Sequence, residues 1–382
     1  MDTVLLSSIL RRLADSLQAK SGGHSFRITV GFDGFVDQII EVVDKRYSAS
    51  DYAKIETIAQ FGERIQRSAG LSTNIELVPK LVKIGGNGPI MANALARAGQ
   101  KIAYLGALGT PEIEPTFHEF VKNCRQVVSF ANPGRTDALE FLDGKILMGK
   151  LTSLTEITWE SLSGRLSPDM LRELFAEPDL VATVNWTMIP YMNDLWENLY
   201  RFLETEQPTK RPFMFVDLCD PEKRSTEDIR RAMGLLNQFS RFYNVVLGLN
   251  LKEAAEVAKA VGIGLSQPVQ STSLAEITQE MGRHLQLWGV VVHALKTCAA
   301  VCDGEFAEVY GAYCERPKLT TGAGDNFNAG FCLGLLLGLP LDGILALASA
   351  CSGFYVRRGY SPNYQELQEF VVLWQSNIGR SF

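Results

Sequence analysis

Apolar residues recur along this chain in short blocks separated by glycines and polar turns, and the spacing inside the blocks switches between that of helices and that of strands. Val4, Leu5, Ile9, Leu13 and Leu17 fall at helical spacing with Arg11, Arg12 and Asp15 between them, which predicts an amphipathic helix docked on the body. Residues 26–30 read as a short buried strand. After it come Gly31-Phe32-Asp33-Gly34-Phe35-Val36-Asp37, with two carboxylates at a strand end, and a second apolar stretch to Val43. A polar helix is expected over 51–66, then a strand over 81–84. The loop Gly85-Gly86-Asn87-Gly88 follows, and then a helix bearing Ala92, Leu95, Ala96 and Ala98, closed by Gly99. From Lys101 on, strands (101–105, 180–184, 213–216, 244–249) alternate with helices (193–204, 227–239). That order predicts βαβ units, a mostly parallel central sheet with helices on both faces.

One hairpin interrupts the alternation. Residues 137–142 and 145–148 flank Asp143-Gly144, a strong two-residue turn signal. With the strands near 34–50 and 78–86, the segment near 135–150 is assigned to a small β-sheet beside the main domain. The organisation expected is a helical extension over 1–24 and one α/β domain over 25–382. The hairpin also contains Gly144-Lys145-Ile146-Leu147-Met148-Gly149-Lys150, most of a P-loop, but Leu151 stands where Ser or Thr is required and the context is not strand-loop-helix. No Gly-x-Gly-x-x-Gly follows a predicted strand, which counts against a dinucleotide oxidoreductase.

Composition narrows the function classes. A chain of 382 residues that is 46% hydrophobic and 21% charged has enough apolar surface for a sizeable globular core. Its net charge of −6, without a basic stripe, excludes nucleic acid as the main partner. Seven scattered cysteines, several inside apolar runs, point to a reducing, cytoplasmic setting, and the four histidines lack metal-ligand spacing. No membrane span is expected, because the apolar run from Leu333 to Leu345 is broken by Gly338, Pro340 and Asp342.

The densest chemistry lies near the carboxyl end. Thr320-Thr321-Gly322-Ala323-Gly324-Asp325 leads into the apolar stretch Phe327–Leu339, a buried helix. Two glycines around an alanine let backbone N–H groups converge on an anion at a helix N-terminus, and Asp325 on the first turn is expected to stay ionised and to accept a proton from a hydroxyl. An ordinary loop and N-cap would look the same. Asn250-x-x-Glu253 opens another helix after a strand. The pair suits water-mediated or direct Mg²⁺ binding near a phosphate chain, or a capping box with Asn250 as cap.

Taken together, Gly85-Gly86 before a helix with Ala92, Ala96 and Gly99, then Asn250-x-x-Glu253, then Gly322-Ala323-Gly324-Asp325, resemble the PfkB, or ribokinase-like, family of carbohydrate kinases over roughly residues 26 to 365. The resemblance implies a ribokinase-like α/β three-layer sandwich with a β-sheet lid, and ATP-dependent phosphorylation of a sugar or related polyol. It implies Asp325 as general base, with Gly322, Ala323 and Gly324 holding the phosphoryl group and Thr320 and Thr321 beside the nucleotide. Asn250 and Glu253 would organise Mg²⁺ around ATP. Asp37, with Asp33 as second choice, would meet the substrate hydroxyls together with Gly85, Gly86 and Asn87. Glycine there lets a sugar ring approach the backbone. Lid strands with exposed edges suggest a homodimer.

Several positions depart from the family. Leu319 stands where the motif usually begins with an Asp associated with a monovalent cation, which puts potassium activation in doubt. Ile90 replaces a usual Asn, and Leu295 and Cys298 replace usual glycines near the nucleotide. Asn87 stands where relatives acting on phosphorylated sugars tend to carry Lys, which favours an unphosphorylated acceptor, although Arg97, Arg135 or Lys83 would be able to substitute. Two alternatives stay open: a nucleoside kinase with aromatic platforms among Phe32, Phe35 and Trp186, and a catalytically weak sensing or scaffold protein.

Overall fold

Strands that are apolar on both sides must be covered on both sides, and this chain meets that demand with two separate cores. The computed structural model describes residues 3–20, 24–265 and 272–380. Its strands run β1 (Arg27–Phe32), β2 (Phe35–Arg46), β3 (Tyr52–Lys54), β4 (Leu77–Gly85), β5 (Lys101–Gly106), β6 (Gln126–Ser129) and β7 (Gly134–Phe141). They continue as β8 (Gly144–Lys150), β9 (Leu180–Thr183), β10 (Phe213–Asp217), β11 (Asn244–Asn250), β12 (Gly289–His293), β13 (Thr297–Cys302) and β14 (Glu305–Tyr310). Nine of them form one sheet in the order β14-β13-β12-β11-β10-β9-β1-β5-β6, parallel from β12 to β6, with β13 and β14 antiparallel at one edge.

Alternate residues of these strands go to opposite faces. Phe215, Val246 and Val291 join a core with the helices Thr3–Ala19, Asn87–Arg97, Ala323–Leu336, Leu341–Arg358 and Tyr364–Ser376. Met214, Val216, Val245, Leu247, Val290 and Val292 join a second core with Met192–Thr205, Thr226–Phe239, Leu251–Val261 and Leu274–Leu285. The expected mostly parallel three-layer α/β architecture is therefore present.

The other five strands make the small sheet. β2 pairs β4 antiparallel and β7 parallel, β8 pairs β7 antiparallel, and β3 joins the far end of β2. Ile40, Val42, Ile55, Phe61 and Leu139 form a private core under the helix Ile58–Arg67. On the opposite face Lys83, Asp37 and Thr136 lie in one row, and Lys145, which pairs with Glu140, falls on that same face.

Two element expectations need correction. The amino-terminal helix is buried through Leu6, Ile9, Leu10, Leu13 and Leu17, whereas Val4 and Leu5 are exposed. Adjacent apolar residues leave the stripe ambiguous, and contacts settle it: the Tyr364 hydroxyl donates to the Leu17 carbonyl, and Arg12 pairs with Asp342 at 2.6 Å. The helix expected over 51–66 begins only at Ile58, capped reciprocally by Thr57 and Gln60. Residues 52–54 are strand instead, because Tyr52 and Lys54 both bind Glu41 on β2, at 2.7 and 2.8 Å.

Candidate active site

The site lies beyond the carboxyl ends of the parallel strands, where an open α/β sheet leaves its crevice. Asp33 follows β1, Asn185 follows β9, Asp217 ends β10, Asn250 ends β11 and His293 ends β12. Asp33 is fully buried, and its carboxylate accepts from Gly88 N at 2.8 Å, Asn87 N at 2.9 Å and Asn185 Nδ2 at 2.6 Å. It thereby caps the helix Asn87–Arg97. Burial still lifts its carboxyl to about 6, against the pull of those donors.

Two carboxylates leave no room for side chains at the double glycine. A Cβ at Gly85 would sit 2.3 Å from Asp37 Oδ1, and one at Gly86 would sit 2.8 Å from Asp33 Oδ2. Asp37 is buried on the face of the small sheet opposite its private core, and burial raises its carboxyl, opposed by Lys83, a Thr136 hydrogen bond and Lys145. Of the three candidate basic residues, Lys83 alone acts on Asp37. Arg97 is bound to the Ser361 carbonyl and lies near Glu366, and Arg135 is paired with Glu114.

Gly322 adopts φ 95°, a left-handed conformation that opens the helix Ala323–Leu336. A Cβ there would meet the Tyr355 hydroxyl at 2.7 Å and Ile90 Cγ2 at 3.2 Å, so Ile90 props the turn from below. The same Tyr355 hydroxyl donates to the Thr321 carbonyl at 2.8 Å. Asp325 is buried on the first helical turn. Its carboxyl is raised well above the usual range by burial, then by Asp217 and Asp33, while a hydrogen bond from Asn87 and the charge of Lys83 oppose the shift. The expectation that the helix dipole keeps Asp325 readily ionised is thus overturned. Desolvation and two neighbouring carboxylates outweigh a partial charge.

Asn250 and Glu253 form the capping box: Asn250 Oδ1 accepts from Glu253 N at 2.9 Å, and Glu253 Oε2 accepts from Asn250 N at 2.8 Å. Glu253 Oε1 also accepts from Asp220 N at 2.9 Å, pinning a loop in which Cys219 and Asp220 are both left-handed. Beside this pair opens a cavity of about 540 Å³ lined by Asn250, His293, Thr320, Gly324, Phe327 and Gly353, among others. Burial lowers the His293 imidazole to about 4, leaving it neutral against Phe327, with ring centroids 4.9 Å apart. Cys298 and Leu295 also line the cavity. Leu319, with Ile90 and Tyr355, lines a different cavity of about 460 Å³.

The site thus draws Asp33, Asp37, Gly85, Gly86, Asn87 and Asp325 into one neighbourhood, with Thr320, Ala323, Gly324 and Asn250 along the adjoining cavity. Sequence reasoning missed Asp217, whose Oδ2 accepts from Asn328 Nδ2 at 2.7 Å and whose carboxyl is raised by burial and then by Glu253. Its signal was a strand-end Asp, and a strand end is also where ordinary turns begin. It also missed Lys145, whose Nζ donates to the Thr321 hydroxyl and approaches Thr320 Oγ1 at 3.5 Å. The near-match to a P-loop drew attention to that residue for the wrong reason. Phe32 and Trp186 are fully buried and Phe35 nearly so, and Trp186 Nε1 donates to Asn193 Oδ1 at 2.7 Å. These rings belong to the core.

Solved structures share this fold. A ribokinase from Thermotoga maritima superposes with a TM-score of 0.60 at 15% identity, covering 92% of this chain and 100% of its own. A carbohydrate kinase from Agrobacterium tumefaciens gives 0.62 at 15% identity, covering 92% and 97%. A ribokinase from Cryptococcus neoformans in complex with ADP gives 0.60 at 16%, covering 90% and 99%. The fold is therefore the ribokinase-like one. The family model for prokaryotic ketohexokinase matches residues 9–373, and the chain belongs to that family. It is also 30% identical over 347 residues to a ketohexokinase from Haloferax volcanii, covering 90% of each chain. It is therefore a carbohydrate kinase, an ATP-using phosphotransferase with an alcohol acceptor and a small-molecule sugar substrate.

Proposed function

We propose that this chain phosphorylates an unphosphorylated ketohexose, transferring the γ-phosphoryl group of ATP to a sugar hydroxyl. The observation that carries the reading is the convergence of two buried carboxylates: Asp37 on the lid and Asp325 behind the glycine turn both feel the charge of Lys83. Asp37 accepts hydrogen bonds from the sugar, and Asp325 takes the proton of the attacking hydroxyl. The bond from the γ-phosphorus to its bridging oxygen breaks, ADP leaves, and the backbone N–H groups of Gly322, Ala323 and Gly324 hold the equatorial oxygens. A raised Asp325 carboxyl suits a base that must finish the step holding a proton. Asp33 keeps the glycine loop in place and Asn87 orients Asp325.

Nucleotide binding falls to the cavity beside Asn250, with Thr320 and Thr321 at its phosphate end. Oxygen donors of the kind a hard cation takes are at hand: Asp217, Glu253 and Asp325 are each buried, and the buried Asn326 Oδ1 and Asn328 Oδ1 have no partner within the protein. Asn250 and Glu253 would hold Mg²⁺ through water, because their inner lone pairs serve the capping box, and the ion would neutralise phosphate charge. Seven free thiols suit a cytoplasmic enzyme. The exposed apolar residues of the lid, Leu77, Leu81, Val82, Leu147 and Met148, support a homodimer closed through that sheet. A nucleoside acceptor is disfavoured because its candidate platforms are core residues.

The test is turnover of D-fructose, other ketohexoses and nucleosides with ATP and Mg²⁺, with Asp325→Asn as control. Fructose phosphate is the expected product, and the variant should lose about 10²- to 10⁴-fold in kcat. Undiminished turnover by the variant would sink Asp325 as base, and exclusive phosphorylation of nucleosides would sink the acceptor.

A further inference from the structure

The lysine inside the rejected P-loop match reaches a phosphate cradle by another route. Lys145 sits on β8 of the lid, 176 residues before its partner, yet its ammonium donates to the Thr321 hydroxyl, one residue before Gly322. Thr320 Oγ1 lies 3.5 Å from the same nitrogen. The stem is half-buried, and burial, then Lys83, lowers the ammonium's hold on its proton against the opposing carboxylates of Glu140 and Asp37. The ammonium therefore stands between Asp37 at the acceptor end and the N–H groups of Gly322–Gly324. That interval is the one a phosphoryl group must cross.

From this placement we propose that Lys145 is a catalytic residue supplied by the lid, donating to the γ-phosphoryl group as it passes from ATP to the acceptor. The proposal rests on the kinase reading above. An ammonium has three N–H donors on a flexible four-carbon stem, and the two threonine hydroxyls are neutral acceptors that a phosphoryl oxygen outcompetes. The step is balanced without further reagents. The hydroxyl oxygen bonds to phosphorus, the bridging oxygen leaves with ADP, the hydroxyl proton goes to Asp325, and Lys145 keeps its own protons. Because the charge arrives on the lid, an open lid leaves the γ-phosphate without it.

Lys145→Met tests this, with Lys150→Met as the control, since Lys150 lies on the other face of β8, paired with Asp137 at 2.8 Å. Calorimetry with the non-hydrolysable analogue AMP-PNP and with ADP, each with Mg²⁺, needs no acceptor. Lys145→Met should weaken AMP-PNP about tenfold and leave ADP within about twofold, while kcat with fructose falls about 10²- to 10³-fold at an unchanged melting temperature. Lys145→Arg should recover part of kcat, and Lys150→Met should match the wild type. AMP-PNP affinity and kcat both within about threefold of wild type would overturn the proposal, as would a loss confined to the KM for fructose. Should the wild-type enzyme ignore fructose, the acceptor reading fails, and the comparison of AMP-PNP with ADP still decides Lys145.

Discussion

At the residue scale the site is a matter of how closely carboxylates approach backbone. Asp37 lies so near Gly85 that any side chain there must push it aside, since a Cβ would stand 2.3 Å from its Oδ1. Gly85→Ala should therefore cost about 10²-fold in kcat/KM for fructose, the scale of a misplacement near 1 Å. An unchanged kcat/KM would detach Asp37 from the acceptor. Asp37, Asp325 and the glycine turns were legible in the sequence because each is carried by a few consecutive residues. Asp217 and Lys145 were not, because their partners lie 111 and 176 positions away, on or just before the helix Ala323–Leu336, and only tertiary packing joins them. The proton affinity of Asp325 was misjudged for the same reason: its nearest charges come from other strands.

At the element scale, periodicity found the parallel sheet and most of its helices, and it failed where two periods competed. In the amino-terminal helix, three adjacent apolar residues offered two faces, and packing against Leu341–Arg358 and Tyr364–Ser376 chose the one through Leu6 and Leu10. Leu10 is fully buried, so Leu10→Ala should cost about 2–5 kcal/mol in urea unfolding. A loss below about 1 kcal/mol would show that the helix adds little to the core. Residues 52–54 escaped because a three-residue edge strand has too few positions to show a period, and its pairing depends on Glu41 far up β2. The capping box at Asn250 and Glu253 was legible because its signal is local.

At the scale of the whole molecule, the lid presents Leu81 and Val82 on β4 and Leu147 and Met148 on β8 to solvent in one protomer. Light scattering at working concentration should report twice the 42.2 kDa chain mass, and a monomer would remove the expectation of a lid-mediated dimer. The join between lid and body sets a mechanical ratio. β1 ends at Phe32 and β2 begins at Phe35, so an interior strand of the large sheet continues into the central strand of the small one across Asp33 and Gly34. With Gly34 as fulcrum, Asp37 lies about 10 Å out and Arg46 about 40 Å out along an extended strand. A swing that carries the tip through about 10 Å moves Asp37 by only about 2.5 Å, the same fourfold reduction. So short a travel is still enough to make or break a hydrogen bond. The lid is a reducing lever: broad movement at its rim becomes fine adjustment at the carboxylate proposed to hold the sugar.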